Sequence, residues 1–179
     1  MPPLGPLKLA LQGKLDLYLI DPESKEIVDE RHVKNMIVDP GEIWIAELLA
    51  KEFLGGTTLT QGAGEIGNGL QVVQVGISGA AEGQNDFKMK DQSGITTSGV
   101  ATINDVSGSG NIVVARGTFG VNEGNGSLRE AGLFSSTGIP ANETDENVRM
   151  FNRTTFDVIT KTDSFELALQ WTITIGSLS

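Results

Sequence analysis

The chain has 179 residues, a formal net charge of −10 and no cysteine. This length suits one domain, and the lack of cysteine excludes a disulfide framework and a thiolate metal site. The 13 Lys and Arg are scattered singly, and no apolar run approaches the roughly 20 residues of a membrane-spanning helix, so we expect neither nucleic acid nor membrane as a partner.

The N-terminal region combines three prolines within residues 1–6 with a clean alternation of leucines over residues 7–20. The prolines predict an extended segment, and period-2 alternation predicts a strand with one buried face. We expect residues 1–13 to form an arm that adds to a neighbouring sheet, and residues 14–179 to form a single domain. The partner-binding candidates on the arm are Leu4, Leu7, Leu9 and Leu11. No charged, then apolar, leader is visible, so we expect synthesis in a bacterial cytoplasm.

A turn at Asp21-Pro22-Glu23-Ser24 leads into a second strand over residues 26–38. The next segment predicts a helix near residues 40–54. Asp39 is its expected cap, Pro40 suits the first helical position, and Glu42 completes a capping box. Its apolar stripe packs on the sheet and consists of Ile45, Leu48, Leu49 and Phe53.

The rest of the chain reads as short strands separated by Gly-rich turns. Apolar alternation predicts strands over residues 71–77, 99–106, 111–119, 127–134, 148–159 and 165–175. Residues 78–95 and 135–147 read as long exposed loops. About eight strands at this spacing predict a mainly β protein, an antiparallel β-sandwich or jelly roll with one α-helix.

Residue patterns for catalysis or cofactor binding are weak. His32 is the single histidine, and a strand histidine flanked by charge is typical of a surface. Residues 62–67 match the letters of a dinucleotide-binding loop but lack the strand before and the helix after it. The acidic cluster Glu143, Asp145 and Glu146 lies in a polar loop without the frame of a glycosidase or a calcium site. We therefore expect no enzyme activity, cofactor or metal.

Glu130 is physically unusual because alternation places it on the face that carries Leu128 and Phe134. If that face is the core, Glu130 needs a partner, since an unpaired buried charge is costly. Arg116 and Arg153 lie on adjacent predicted strands. The hypothesis is a structural ion pair, within the chain or across a subunit boundary.

Three segments resemble small structural proteins of tailed-bacteriophage particles. They are Arg31–Gly41, with Asn35 leading into a capped helix; Arg129-Glu130-Ala131-Gly132-Leu133-Phe134; and the C-terminal hairpin that contains Arg153-Thr154-Thr155-Phe156 and Leu167–Ile173. Their order and spacing agree over most of residues 14–175, more loosely over 57–95. The resemblance implies a virion component of the head-decoration (cement) or tail-fibre-adaptor type, and it brings no catalytic residues.

The sequence ends directly after the last predicted strand, without a stalk or receptor-binding tip, which favours a capsid decoration protein. The expected partners are further copies of the chain, as dimers or trimers, and the major capsid protein. A tail or neck adaptor, or tail-fibre base, that binds tail or portal proteins remains the alternative. A carbohydrate-binding module is a remote alternative. Trp171 is expected to face the core, which leaves Trp44 and Tyr18 as sugar platforms.

Overall fold

The computed structural model describes residues 9–43, 45, 70–95, 99–109, 111–142, 145 and 148–177. Within these residues, eight strands pair antiparallel in a closed barrel with the order β1-β2-β7-β6-β3-β4-β5-β8. The expectation of a mainly β protein with about eight antiparallel strands is confirmed. The strands are β1 Leu9–Ile20, β2 Ile27–Ile37, β3 Val72–Gly76, β4 Val100–Ser109, β5 Ile112–Phe119, β6 Gly126–Phe134, β7 Met150–Lys161 and β8 Glu166–Ser177.

The sheet closes into a barrel, whereas the sequence predicted a sandwich or jelly roll. β2 pairs with β1 as far as Asn35, and its last residues, Met36 and Ile37, pair with β7 instead. β4 pairs first with β3 and, from Ile103 onward, with β5. Strands that change partners in this way form corners that join two halves of a sheet. Alternation in the sequence identifies a buried face but carries no information about these corners.

The expected N-terminal arm overlaps the barrel. Residues 9–13 belong to β1 and pair with β8, from Leu9 opposite Ser177 to Gly13 opposite Ile173. Leu11 packs against the interior cluster. The reason is that the alternation of β1 continues through residue 9, so these residues extend a strand of the chain's own barrel. Leu4 and Leu7 lie outside the described residues.

A helix begins directly after β2, with helical residues at 39–43 and 45. The Val38 carbonyl accepts the first helical hydrogen bond, from Glu42 N at 3.1 Å. The capping position is therefore Val38, one residue before the expected Asp39 cap. Asp39 N instead donates to the Gln84 carbonyl at 2.8 Å. The remainder of the helix expected over 40–54 falls outside the described residues.

Two apolar clusters lie on opposite faces of the sheet. The first fills the barrel, and Trp171 at its centre is fully buried, which confirms that it faces the core. The second lies outside the barrel and consists of Val38, Val72, Met89, Phe134, Val148 and Met150. Burying a side chain of this size stabilises the fold by about 1.5–3 kcal/mol. The segment 78–95 is a loop as expected, but it packs in part against the barrel, because Met89 and Asp86 are both buried.

Candidate functional site

An ion pair between Glu130 and Arg153 lies at the centre of the contact between β6, β7 and the segment 78–95, which we call the strap. A β-bulge between Leu128 and Glu130 changes the alternation of β6. Leu128 and Ala131 both pack in the interior cluster, so Glu130 turns to the outer face under the strap. The expectation that Glu130 shares the face of Leu128 is therefore wrong. The register shift accompanies this change, because three residues of β7, 156–158, stand opposite the single β6 residue 129, and regular pairing is broken between Leu128 and Glu130.

The two charged groups are fully enclosed. Glu130 and Arg153 are both 0 % exposed, and Arg153 Nε donates to Glu130 Oε2 at 2.6 Å. The same carboxylate accepts the backbone N–H groups of Lys90 at 3.1 Å and Asp91 at 2.8 Å. Charge-assisted bonds of this kind are about twice as strong as neutral ones. The ion pair hypothesised from the sequence is thus present within the chain, with Arg153 as the partner.

Arg153 also holds the other end of the strap. Its Nη1 donates to Asp86 Oδ2 at 3.0 Å, and its Nη2 donates to the Ala80 carbonyl at 2.9 Å. One planar guanidinium therefore joins a carboxylate of β6 to a carboxylate and a carbonyl of the strap. Asp86 additionally binds the Lys90 ammonium and accepts from Gly83 N.

Two strap carboxylates have pKa values below their ordinary range. Burial opposes ionisation of Asp86, but hydrogen bonds from Lys90 and Gly83 and the charges of Lys90 and Arg153 outweigh it and lower its pKa. Burial likewise opposes ionisation of Glu82, and the Thr155 N–H and the hydroxyls of Thr154 and Thr155 outweigh it, so its pKa is also lowered. Both groups are ionised at neutral pH, and both bind the strap to the barrel wall.

Arg116, the other sequence candidate, lies elsewhere. It is on β5, which is separated from β6 by β3 and β4 in the barrel order. Its Nε donates to Gln170 Oε1 of β8 at 2.8 Å. The structure therefore brings Arg153 to Glu130 and leaves Arg116 on a different part of the wall.

Three further groups were not predicted from the sequence: Asp86, Glu82 and a second buried basic residue, Lys161. Lys161 is 1 % exposed and donates to the Gly120 carbonyl at 2.7 Å and to Asn125 Oδ1 at 2.8 Å. A signal was present for Lys161, because alternation along β7 places it on the same face as the buried Ile159. No signal in the polar strap sequence distinguishes Asp86 from its exposed neighbours.

Polar groups also face the barrel interior near the point where β2 leaves β1. The side chain of Asn35 occupies the space beside Gly13, where any added Cβ would overlap it. Polar side-chain atoms of Asn35, Asn152 and Trp171 are buried without a hydrogen-bond partner among the described residues. A surface groove of about 680 Å³ lies at the same junction, between residues 11–14 of β1 and 32–35 of β2.

The remaining sequence candidates do not converge on one site. His32 Nδ1 lies 2.6 Å from Asp16 Oδ1, and its ring meets the edge of Tyr18. Asp145 accepts from Ala141 N at 2.8 Å, while Glu143 and Glu146 lie outside the described residues, as do residues 62–67 and Trp44. Among the described residues, the charged cluster of Glu130, Arg153 and Asp86 is buried, and each of its groups has hydrogen-bond or ionic partners. Its role is therefore to hold the strap in a fixed position on the barrel wall, and this determines the shape of the surface there.

Comparisons with protein-family models, with curated proteins and with solved structures found no match. In the part of the chain that the structure describes, no helix is long and apolar enough to cross a membrane.

Proposed function

We propose that the chain is a structural protein of a tailed-bacteriophage virion and that it binds the assembled head as a decoration protein. The observation that carries this proposal is the position of the three segments that resemble such proteins. β2, β7 and β6 are consecutive in the barrel, and Arg153 lies opposite both Met36 and Gly132. The resembling segments on these three strands therefore form one continuous wall around the buried ion pair. Leu167–Ile173 lies apart from this wall on β8, which pairs with β1 and β5.

The surface above this wall supports a binding role. The strap is fixed by buried ionic contacts, so its outer side is a preorganised surface that loses little entropy on binding. Ile139 lies beside it and is 68 % exposed, next to a groove of about 320 Å³ that Met89 and Pro140 help to line. A rigid surface with a prominent apolar side chain suits contact with a protein partner.

The mechanism follows from mass action. A protein that binds the assembled lattice but not its loose subunits stabilises the lattice in proportion to occupancy. The net charge of −10 favours docking onto a basic partner surface, such as a face of the major capsid protein. Copies arranged around a two-fold or three-fold axis match the symmetry of a capsid. The expected location is the virion, after synthesis in the host cytoplasm.

Cosedimentation with empty heads and with isolated tails of the phage that encodes the chain tests the proposal. We expect saturable binding to heads at a fixed ratio of copies per capsomer. Binding confined to tails or to the portal would replace it with the adaptor or fibre-base function. Binding to neither would overturn the virion assignment.

A matched pair of variants locates the contact. Ile139→Asp is expected to weaken head binding at least tenfold, which corresponds to about 1.4 kcal/mol. Ile112→Asp changes an equally apolar, exposed residue at the β4–β5 hairpin and is expected to leave binding unchanged. Equal effects of the two variants would exclude the strap side as the contact.

A further inference from the structure

The amine of Lys161 is enclosed at one end of the barrel. Lys161 ends β7 opposite Gly126, and the turn of residues 120–125 that joins β5 to β6 passes over its side chain. Nζ lies 2.7 Å from the Gly120 carbonyl and 2.8 Å from Asn125 Oδ1. Among the described residues, no carboxylate lies within ion-pair distance of this amine, so its polar contacts are a peptide carbonyl and a side-chain amide.

This environment makes loss of a proton from the Lys161 ammonium easier than in water. Burial lowers the pKa of Lys161, and the more distant charges of Glu123, Glu166 and Asp163 oppose that effect only in part. A desolvated lysine with a lowered pKa is a nucleophile, since the unprotonated amine carries the reactive electron pair.

The carboxamide of Asn125 is held in place against the amine. Its Oδ1 receives the Lys161 contact, and its Nδ2 donates to the Val121 carbonyl at 3.1 Å. Both ends of the group are therefore fixed, and the reacting groups are in contact without any diffusional step. Fixed proximity of this kind raises effective concentrations by many orders of magnitude.

We propose that Lys161 and Asn125 form an intramolecular isopeptide bond in the folded protein. The Lys161 ammonium first releases a proton to water. Nζ then attacks Asn125 Cγ, a proton passes from Nζ to Nδ2, and the Cγ–Nδ2 bond breaks as the Nζ–Cγ amide bond forms. The ammonia that leaves takes up a proton, so the net products are one amide bond and one ammonium ion. No oxidant or co-reactant is needed.

The bond would join two residues 36 positions apart and close the β5–β6 turn onto the end of β7. This inference is independent of the virion role. It concerns the covalent structure of the chain alone, and its failure would leave the head-binding experiment untouched.

Intact-mass spectrometry of the folded, then denatured, protein provides the test. We expect a mass lower than the sequence mass by one ammonia, and a tryptic digest that contains a branched peptide joining the segments of Asn125 and Lys161. Lys161→Arg and Asn125→Ala are expected to show the full calculated mass. Lys90→Arg, a control at a lysine that contacts a carboxylate, is expected to retain the loss.

A succinimide at Asn125-Gly126 would also release ammonia, so the branched peptide decides between the two. Hydroxylamine cleaves a succinimide and leaves an isopeptide bond intact. Full calculated mass of the wild-type protein after prolonged incubation in the folded state would overturn the proposal. So would an ammonia loss that persists in Lys161→Arg or that disappears with hydroxylamine.

Discussion

β7 carries two buried basic side chains, Arg153 and Lys161, and their polar contacts are of different kinds. Arg153 contacts the carboxylates of Glu130 and Asp86, whereas Lys161 contacts neutral oxygens of Gly120 and Asn125. A buried charge is stable when paired, and an amine without a paired carboxylate lowers its pKa instead. The same strand therefore has one part that attaches the strap by ionic contacts and an end where burial lowers the pKa of an amine.

The largest expected effect is that of Arg153→Met. Removing the guanidinium leaves Glu130 charged, buried and without its ionic partner, and it frees the strap carbonyl of Ala80. Breaking one partner of a buried pair costs about 3–5 kcal/mol. Urea denaturation measures the free energy of unfolding. A loss below about 1 kcal/mol, the range typical of exposed pairs, would contradict the buried-pair description.

Glu130→Gln is expected to cost less, about 2–3 kcal/mol, because Arg153 keeps Asp86 as its partner. The amide nevertheless replaces an acceptor with a donor where Arg153, Lys90 and Asp91 all donate. Glu30→Gln, on the exposed face of β2, is the control and is expected to stay within about 0.5 kcal/mol of the wild type. Equal stability of Glu130→Gln and the control would show that the ion pair has no structural role.

Lowering the pH is expected to detach the strap from the barrel wall before it disrupts the structure around Lys161. The lowered pKa values of Asp86 and Glu82 mean that these carboxylates stabilise the fold above their unfolded values of 3.8 and 4.5. This contribution is lost as the pH falls through their folded values. Hydrogen exchange from about pH 7 to about pH 3 should show Lys90 N and Asp91 N losing protection before the amides of Leu167 and Leu169, which lie in β8 just after the Lys161 turn and pair with strands on both sides. Simultaneous loss in both places would contradict a local ionic attachment.

Gly76→Ala tests how tightly the strap is seated. An added Cβ would lie 2.5 Å from the Asp91 carbonyl oxygen and even closer to the Glu130 carboxylate, so the strap would have to move. We expect a loss of about 1–3 kcal/mol, the usual cost of overpacking. Gly79→Ala is the matched control on the strap itself, with its Cβ at an ordinary 3.6 Å from Arg129 Cδ. Similar stabilities for the two variants would mean that the strap is loosely attached.

The sequence predicted the strands well and the strap poorly, for a physical reason. The longest strands, β1 and β8 above all, have a period-2 apolar pattern that local residues determine. The strap has no such pattern, and its order comes from Arg153, a residue 67 positions away from Asp86. Glu130 was recognised because its charge broke an apolar alternation, although no residue pattern predicted the register shift between β6 and β7 beside it.

The smallest expected effect is that of Lys161→Met in an Asn125→Ala background, where no isopeptide bond forms. The substitution removes one hydrogen bond to the Gly120 carbonyl, but it also removes a buried amine that has no paired carboxylate among the described residues. These contributions oppose each other, so we expect a change within about 1 kcal/mol by urea denaturation. A loss as large as that of Arg153→Met would mean that Lys161 is also held by charge, and the contrast between the two cations would disappear.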